Sequence, residues 1–214
     1  MTVNSRETVF ARIRAALTDV PSTETYDAAR IPRDYRDSHA GDADSDIVGL
    51  FAERAADYRT MVTRTTDPLP VISAALAAYG TAGIVVPDGF PEEWLPDDVP
   101  RRTLTDTPPL RVRELDAAGG VLTTCALAIA VTGTIVLDGG PGQGRRALTL
   151  LPDYHLCVLR ADQIAGDVPE ALRRLDPHRP LTFISGPSAT SDIELERVEG
   201  VHGPRTLDIV VVDP

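Results

Sequence analysis

The residues best suited to chemistry in this chain lie in a glycine-rich loop that follows a β-branched apolar run. The glycines and arginines of this loop are Gly139, Gly140, Gly142, Gly144, Arg145 and Arg146. Glycine has no Cβ, so the backbone can come close to a ligand or adopt positive φ, and arginine adds a fixed positive charge. The pattern predicts a site for a small anion. The alternative is an ordinary glycine-rich turn whose arginines lie on the surface.

Ligand contacts are expected both in this loop and in the turn before it. The expected contact residues are Thr132, Gly133, Thr134, Gly140, Gly142, Gly144 and Arg145. We expect Arg145 to hold the anion, because it directly follows Gly144. Adjacent residues generally cannot both face one small ligand, so we expect Arg146 to point elsewhere.

A second candidate segment follows another apolar run, at residues 181–185, and contains Ser185, Gly186 and Ser188. Ser191 and Glu194 stand three residues apart, as in a capping box at the start of a helix. Hydroxyl groups and unpaired N–H groups at a helix start favour a bound carboxylate or phosphate. Ordinary helix capping accounts for the same residues without any ligand.

A third candidate segment places His202 and Arg205 on either side of a Gly-Pro turn, just before the last apolar run at residues 207–212. Turn formation explains the glycine and proline but not the imidazole and the guanidinium. We expect the three segments to converge at one edge of a sheet and to form a single pocket.

Two more specific motifs are matched only in part. Gly142, Gly144 and Ala147 match a relaxed dinucleotide fingerprint, but residues 139–153 leave no room for the helix of a unit of roughly 30 residues. The stretch at residues 186–190 approaches the nucleophile elbow of serine hydrolases but ends in Thr190 instead of glycine. A dinucleotide fold of that type and a serine hydrolase are both disfavoured.

Composition excludes several other functions. The net charge of −11 argues against nucleic-acid binding, which needs a basic surface. All 21 basic residues are arginine, so Schiff-base catalysis and a Walker lysine are excluded. No apolar run approaches the roughly 18 residues of a membrane span, and the N-terminus lacks a signal-peptide core, so a cytoplasmic protein is expected.

The cysteines and histidines do not suggest a metal site. Cys125 and Cys157 cannot supply a four-thiolate iron–sulfur cluster, and each lies in an apolar run typical of a buried, inert thiol. His155 is expected to be a hydrogen-bonded core residue, whereas His39 and His178 are expected at the surface. No cofactor is therefore expected in this chain.

Hydrophobic periodicity predicts the elements that position these residues. Helices are predicted at residues 5–17, 46–65, 70–79 and 161–175, and strands at 83–86, 132–137, 154–160, 181–185 and 207–212. The late strands show little alternation, as expected for strands covered on both faces. We predict an α/β fold with a central, mostly parallel or mixed sheet covered by helices.

The expected domain organisation has two parts. Residues 1–45 comprise an amphipathic helix and a polar linker, because residues 19–45 contain few large apolar side chains. Residues 46–214 comprise a single α/β domain. A homo-oligomer is left open.

The segments at residues 132–146, 148–164, 181–205 and 207–213 together resemble the LUD-domain family. The resemblance implies a fold of the sugar-isomerase and CoA-transferase type. It also implies a part in oxidising L-lactate to pyruvate beside two iron–sulfur partner proteins, which would carry the clusters. Relatives typically have an acidic residue before the Thr-Gly-Thr turn, where this chain has Val131, so any role of that carboxylate is in doubt here.

Two functional hypotheses remain. The preferred one is a non-redox subunit of an L-lactate oxidation system that binds a small anion or a nucleotide ligand. The other is a free-standing enzyme resembling a CoA-transferase or a sugar-phosphate isomerase. The first kind uses a glutamate nucleophile and the second a carboxylate base, and Asp138 and Asp192 are the acids nearest to the loops.

Overall fold

A computed structural model describes residues 5–20, 46–80, 83–97, 103–187, 189–190, 198–199 and 202–214. The described residues fall into two units, residues 5–20 and residues 46–214. The first contains helix α1 (Ser5–Ala16), as the periodicity predicts. Its apolar side chains Val9, Phe10 and Ile13 are exposed.

The second unit is built on a six-stranded sheet in which every neighbouring pair is parallel. Its strands, in spatial order, are β1 (Met61–Thr65), β12 (Thr206–Val212), β7 (Tyr154–Arg160), β4 (Gly119–Thr123), β2 (Gly83–Val85) and β3 (Thr103–Leu104). The central strand β7 is buried except at Arg160, and β12 is buried or half-buried throughout, which explains why both are rich in apolar residues with little alternation. The predicted α/β class with a mostly parallel sheet is confirmed.

A second sheet has four strands in mixed orientation. In spatial order they are β8 (Ile164–Ala165), β5 (Leu127–Ile129), β6 (Thr134–Leu137) and β9 (Thr182–Ile184). β9 forms one edge and pairs antiparallel with β6. A separate antiparallel pair joins β10 (Ala189–Thr190) to β11 (Val198–Glu199).

Four helices of the second unit cover these sheets: α2 (Ile47–Ala56), α3 (Pro68–Tyr79), α4 (Val112–Ala118) and α5 (Val168–Arg174). One core lies where Phe51 of α2 packs with side chains of both sheets. Another lies where α3 packs on the opposite face of the six-stranded sheet through Ile72 and Leu76. Apolar burial on both faces fixes the position of the central strands.

Two predicted helices are wrong in part. The helix predicted for residues 46–65 ends at Ala56, and the rest contains β1, whose Val62, Thr63 and Thr65 are β-branched. The helix predicted for residues 161–175 begins only at Val168, because Asp167 caps it by accepting from the Val168 N–H. A short 3-10 helix, Ala161–Gln163, and β8 take the place of its first half.

Several predictions fall on residues that the structure does not describe. The capping box at Ser191 and Glu194, the contact residue Ser188, His39 and most of the predicted linker lie outside the described residues. The predicted strand at residues 83–86 and the predicted helix at 70–79 agree with β2 and α3, and α3 ends at Gly80 in the left-handed conformation.

Candidate functional site

A cavity of about 250 Å³ lies at the amino ends of β7 and β12. These strands are parallel neighbours with Tyr154 opposite Thr206 and His155 opposite Leu207, so both strands begin at the same edge of the sheet. The lining residues are Arg146, Thr149, His155, Phe183, Ile184, Ser185, Gly186, Pro187, His202, Gly203, Pro204 and Leu207. Ser185, Gly186 and His202 thus converge at one edge of the sheet, whereas Gly140, Gly142 and Gly144, which are predicted to share their pocket, are not among its lining residues.

Strand β9 forms one wall of this cavity. Phe183 and Ile184 are consecutive strand residues, so their side chains point to opposite faces of the sheet. Both nevertheless line the cavity, which therefore runs beside the outer edge of β9. Phe183 is 47% exposed, so its ring is available to a ligand.

Arg146 supplies the positive charge of the cavity. It begins a 3-10 helix, Arg146–Thr149, and its Nη1 donates to the Thr149 carbonyl (3.2 Å) and to Thr149 Oγ1 (2.8 Å). Within the described part of the chain, no carboxylate pairs with Arg146, and its Nε and Nη2 donate to no protein group. Burial lowers the pKa of Arg146 below the usual value of an arginine side chain. A guanidinium stays protonated even then, so a charge remains in the cavity with donors to spare.

Arg145 has a different environment. Its Nε and Nη2 donate to the two carboxylate oxygens of Asp106 at 2.7 and 3.0 Å, and Nη2 also donates to the Leu110 carbonyl at 2.7 Å. Burial alone would raise the pKa of Asp106, but hydrogen bonds from Arg145 and the Leu110 N–H outweigh it and lower that pKa. Arg145 therefore ties the loop to residues 106–110. The structure places Arg146, and not Arg145, at this cavity.

The glycines of the loop come close to other parts of the protein. The Gly142 N–H donates to the Asp88 carbonyl at 2.9 Å, and the Gly142 carbonyl accepts from the Thr124 N–H at 2.8 Å. A Cβ on Gly142 would lie 2.8 Å from Thr124 Oγ1, and one on Gly144 would clash with the side chain of Leu148. This close packing is sufficient to explain why positions 142 and 144 are glycine, without any ligand. Ligand contact at these glycines and at Gly140 stays a prediction.

The Thr-Gly-Thr turn contacts the second candidate segment through hydroxyl groups. Thr134 Oγ1 lies 2.8 Å from Thr132 Oγ1 and 2.7 Å from Ser185 Oγ. A Cβ on Gly133 would clash with the backbone of Ala55 in α2, so this turn needs glycine for packing. Val131 is partly buried against an apolar cluster that includes Leu127, Ile129 and Val136, a contact that suits its apolar side chain.

Gly186 also has a packing role, since its φ is +83° and an added Cβ would clash with the side chain of Tyr58. The Ser185–Gly186 turn and the Thr-Gly-Thr turn are thus both held close to the chain around the end of α2. Close packing against this segment positions Ser185 at the cavity.

His155 forms a buried wall of the cavity. It is 1% exposed, and its Nε2 lies 2.7 Å from Thr123 Oγ1, which confirms the predicted hydrogen-bonded core histidine. Burial, with a contribution from the nearby Arg146 charge, lowers its pKa from 6.5 to about 3. The imidazole is therefore neutral at neutral pH. The sequence does not predict that His155 lines the cavity, because the residues around it form an apolar run.

The remaining candidates lie elsewhere among the described residues. Arg205 is exposed, lies 3.7 Å from an Asp153 carboxylate oxygen and does not line the cavity. Asp138 pairs with Arg179 at 2.7 Å beside a different cavity of about 500 Å³. His178 is exposed, as predicted.

The two thiols are buried, as expected. Two effects raise the pKa of Cys125: the larger is a hydrogen bond to Cys157, and the smaller is burial. The Cys125 thiol is therefore protonated and unreactive at neutral pH. Over the described ranges, no group of three His, Cys, Asp or Glu residues could hold a metal ion. None of the described helices has the length and apolar character needed to cross a membrane.

Comparison with known proteins shows extensive similarity. A family model described as "LUD domain" matches residues 102–212. "Lactate utilization protein C" of Deinococcus radiodurans is 47% identical over 172 residues, which cover 78% of this chain and 80% of that protein. "Lactate utilization protein C" of Geobacillus kaustophilus is 30% identical over 196 residues, which cover 81% of each chain.

The fold has a counterpart among solved structures. A crystal structure of a DUF162 family protein from Deinococcus radiodurans superposes with a TM-score of 0.66 at 42% sequence identity. The match covers 78% of this chain and 96% of that chain. The α/β architecture described above is therefore shared with a related protein.

Proposed function

The chain belongs to the LUD domain family, and from that premise we propose that it is an anion-binding, non-redox component of a system that oxidises L-lactate to pyruvate. The names of its relatives support the pathway, since several are lactate utilization proteins C. A cytoplasmic location is part of the proposal.

The anion site rests on one observation, the unused hydrogen-bond donors of Arg146. A guanidinium with unused Nε and Nη2 donors lines a cavity together with Ser185 and His202. Charge-assisted hydrogen bonds from arginine are stronger than neutral ones, and a carboxylate or phosphate oxygen matches its geometry. In a chain with a net charge of −11, a cation held without a carboxylate partner among the described residues favours an external anion.

The redox step is assigned to partner proteins. Oxidation of lactate to pyruvate removes two electrons and two protons, which an acceptor must take up. Cys125 and Cys157 are too few for a four-thiolate cluster, so we assign electron transfer to iron–sulfur partners. The described lining of the cavity contains no carboxylate to act as a base or a nucleophile, which favours a binding subunit over a free-standing transferase or isomerase.

Growth on L-lactate tests this proposal. A bacterial strain that lacks its own lactate utilization protein C would be complemented with the wild-type chain, Arg146→Ala or Arg113→Ala. Arg113 is an exposed arginine of α4 outside the cavity and serves as the matched control.

We expect the wild type and Arg113→Ala to restore growth and Arg146→Ala to restore it poorly. Failure of the wild type, with the protein present at normal levels, would refute the pathway assignment. Full growth with Arg146→Ala would refute the role of the anion site. Affinity purification from the complemented strain should recover partners with iron–sulfur absorbance.

A further inference from the structure

A second cavity adjoins the one described above. It has a volume of about 380 Å³, and Arg146 and Thr149 line both cavities. Its other walls include Leu137, Gly144, Arg145, Pro180 and Thr182. Arg146 and Thr149 therefore lie between the two cavities, which are together called the groove.

Strand β9 and its flanking residues run along the whole groove. Pro180 and Thr182 line the second cavity, and residues 183–187 line the first. Arg146 lies where the two sets of lining residues meet. Arg145 also lines the second cavity, but it is paired with Asp106. Among the described residues of the groove, Arg146 is thus the arginine without a carboxylate partner, and it has room for a ligand on both sides.

The position of the charge selects the kind of ligand. A three-carbon hydroxy acid carries its charge at one end and would occupy only one side of Arg146. The first cavity alone, at about 250 Å³, is smaller than the roughly 300–1,000 Å³ of typical pockets for larger organic ligands, and the second cavity beside it has about 380 Å³. The groove suits an extended molecule whose anionic group is internal.

Phe183 adds a second criterion. Its ring is 47% exposed and lines the first cavity, on one side of Arg146. Exposed aromatic rings stack with nucleobases regardless of base identity. On the other side, Leu137 and Pro180 offer apolar contacts and Thr182 a hydroxyl group.

We propose that this groove binds a nucleotide-derived molecule with an internal pyrophosphate: its base stacks on Phe183, its pyrophosphate contacts Arg146, and its second organic group fills the cavity beside Thr182. This inference rests on the anion site of the proposed function. It goes further by identifying a ligand larger than lactate.

Isothermal titration calorimetry on the purified full chain tests the inference with three probes: ADP-ribose, whose pyrophosphate is internal, ADP, whose pyrophosphate is terminal, and L-lactate. We expect ADP-ribose to bind at least tenfold more tightly than ADP, and L-lactate to bind most weakly. Phe183→Ala should weaken both nucleotides about tenfold, because it removes the stacking surface.

Thr182→Trp tests the second cavity separately. The larger side chain should fill the space beyond Arg146 and weaken ADP-ribose at least tenfold while leaving ADP unchanged. Thr63→Trp is the matched control, since Thr63 is also a half-buried threonine of an edge strand, in β1. Melting temperatures of both variants would verify that they fold.

The outcomes separate the two proposals. If L-lactate binds through Arg146 and neither nucleotide binds, the extended-ligand inference is wrong and the anion site stands. If Arg146→Ala changes the affinity of no probe, the anion site is wrong as well. If ADP-ribose binds equally well to Thr182→Trp, the second cavity is not part of the site.

Discussion

Arg145 and Arg146 are neighbours in sequence, but they are bound in opposite ways. Asp106 and the Leu110 carbonyl engage Arg145 with three hydrogen bonds, whereas Arg146 donates only to Thr149 within the described residues and keeps donors for the cavity. The glycine loop before them resembles Arg145 in that its polar groups already have protein partners. The backbone of Gly142 is hydrogen-bonded to the backbone of Asp88 and Thr124.

This contrast separates residues that build the loop from residues that can serve a ligand. Glycine and arginine in one loop suggest anion binding by their chemistry alone, but most of these groups already have protein partners. The availability of a donor, and not its type, distinguishes a binding residue from a structural one.

Gly142→Ala should have the largest effect, and it tests whether close packing explains the glycine at position 142. Gly142 has φ +72°, and its Cβ would lie 2.8 Å from Thr124 Oγ1 and 3.2 Å from the Gly89 carbonyl. Left-handed strain and overpacking together should lower the free energy of unfolding by about 2–4 kcal/mol in urea titrations. Gly139→Ala is the control, because Gly139 has φ +69° with no atom within 4 Å, and should cost only about 1–2 kcal/mol. Equal losses would mean that close packing does not explain Gly142.

The pH dependence of the free energy of unfolding tests whether His155 is buried as a neutral imidazole in the wall of the cavity. Its pKa is about 3 when folded against 6.5 when free, so the unfolded chain takes up a proton that the folded chain does not as pH falls below 6.5. The stabilising contribution is complete above pH 6.5 and falls by about 2 kcal/mol on acidification to pH 5. His155→Gln should lose this part of the pH dependence in urea titrations. His178→Gln, at an exposed site, should retain it, and a wild-type slope in His155→Gln would contradict the assignment.

Arg145→Ala should lower stability by about 1–2 kcal/mol at pH 7, less than a fully buried charged pair because Arg145 is 41% exposed. The pKa of Asp106 is lowered below 3.8 in the folded chain, so the stabilisation exists above that value and is lost as pH falls through the folded pKa. The difference between wild type and Arg145→Ala should therefore shrink near pH 3. A constant difference at pH 7 and pH 3 would show that the ion pair is not its source.

Arg146→Ala should have the smallest effect on folding, a change of about 0.5 kcal/mol or less at pH 7, because it breaks contacts only with Thr149. The same variant should lose anion binding. Thermal unfolding with and without the probe anions measures both effects. A large loss of stability without a change in binding would place Arg146 in the same structural class as Arg145.

The sequence was sufficient for elements whose pattern is local. β7 and β12 are rich in apolar residues because both their faces are covered, and α3 ends where Gly80 supplies a left-handed residue. The strand at residues 61–65 was missed, because its apolar spacing also fits a continued helix. Only its pairing with β12 distinguishes the two.

The sequence does not reveal the partners of the site residues, because those partners are distant in the chain. Asp106 lies 39 positions before Arg145, and nothing local marks it as the partner of that arginine rather than of Arg146. The clashes that require Gly133 and Gly186 likewise come from the chain around the end of α2, far away in sequence. Convergence of Ser185 and His202 was predictable, since both segments flank strands of the core.

The position of β12 has a consequence for synthesis of this protein on the ribosome. β12 follows every other described strand in sequence, yet it lies between β1 and β7 in the sheet. β1 and β7 therefore leave the ribosome before the strand that joins them exists, and unpaired apolar strand edges are sites of aggregation. A translational pause just before residue 206 would prolong this exposure, so codon choice and chaperone supply in that interval should govern the yield of folded protein.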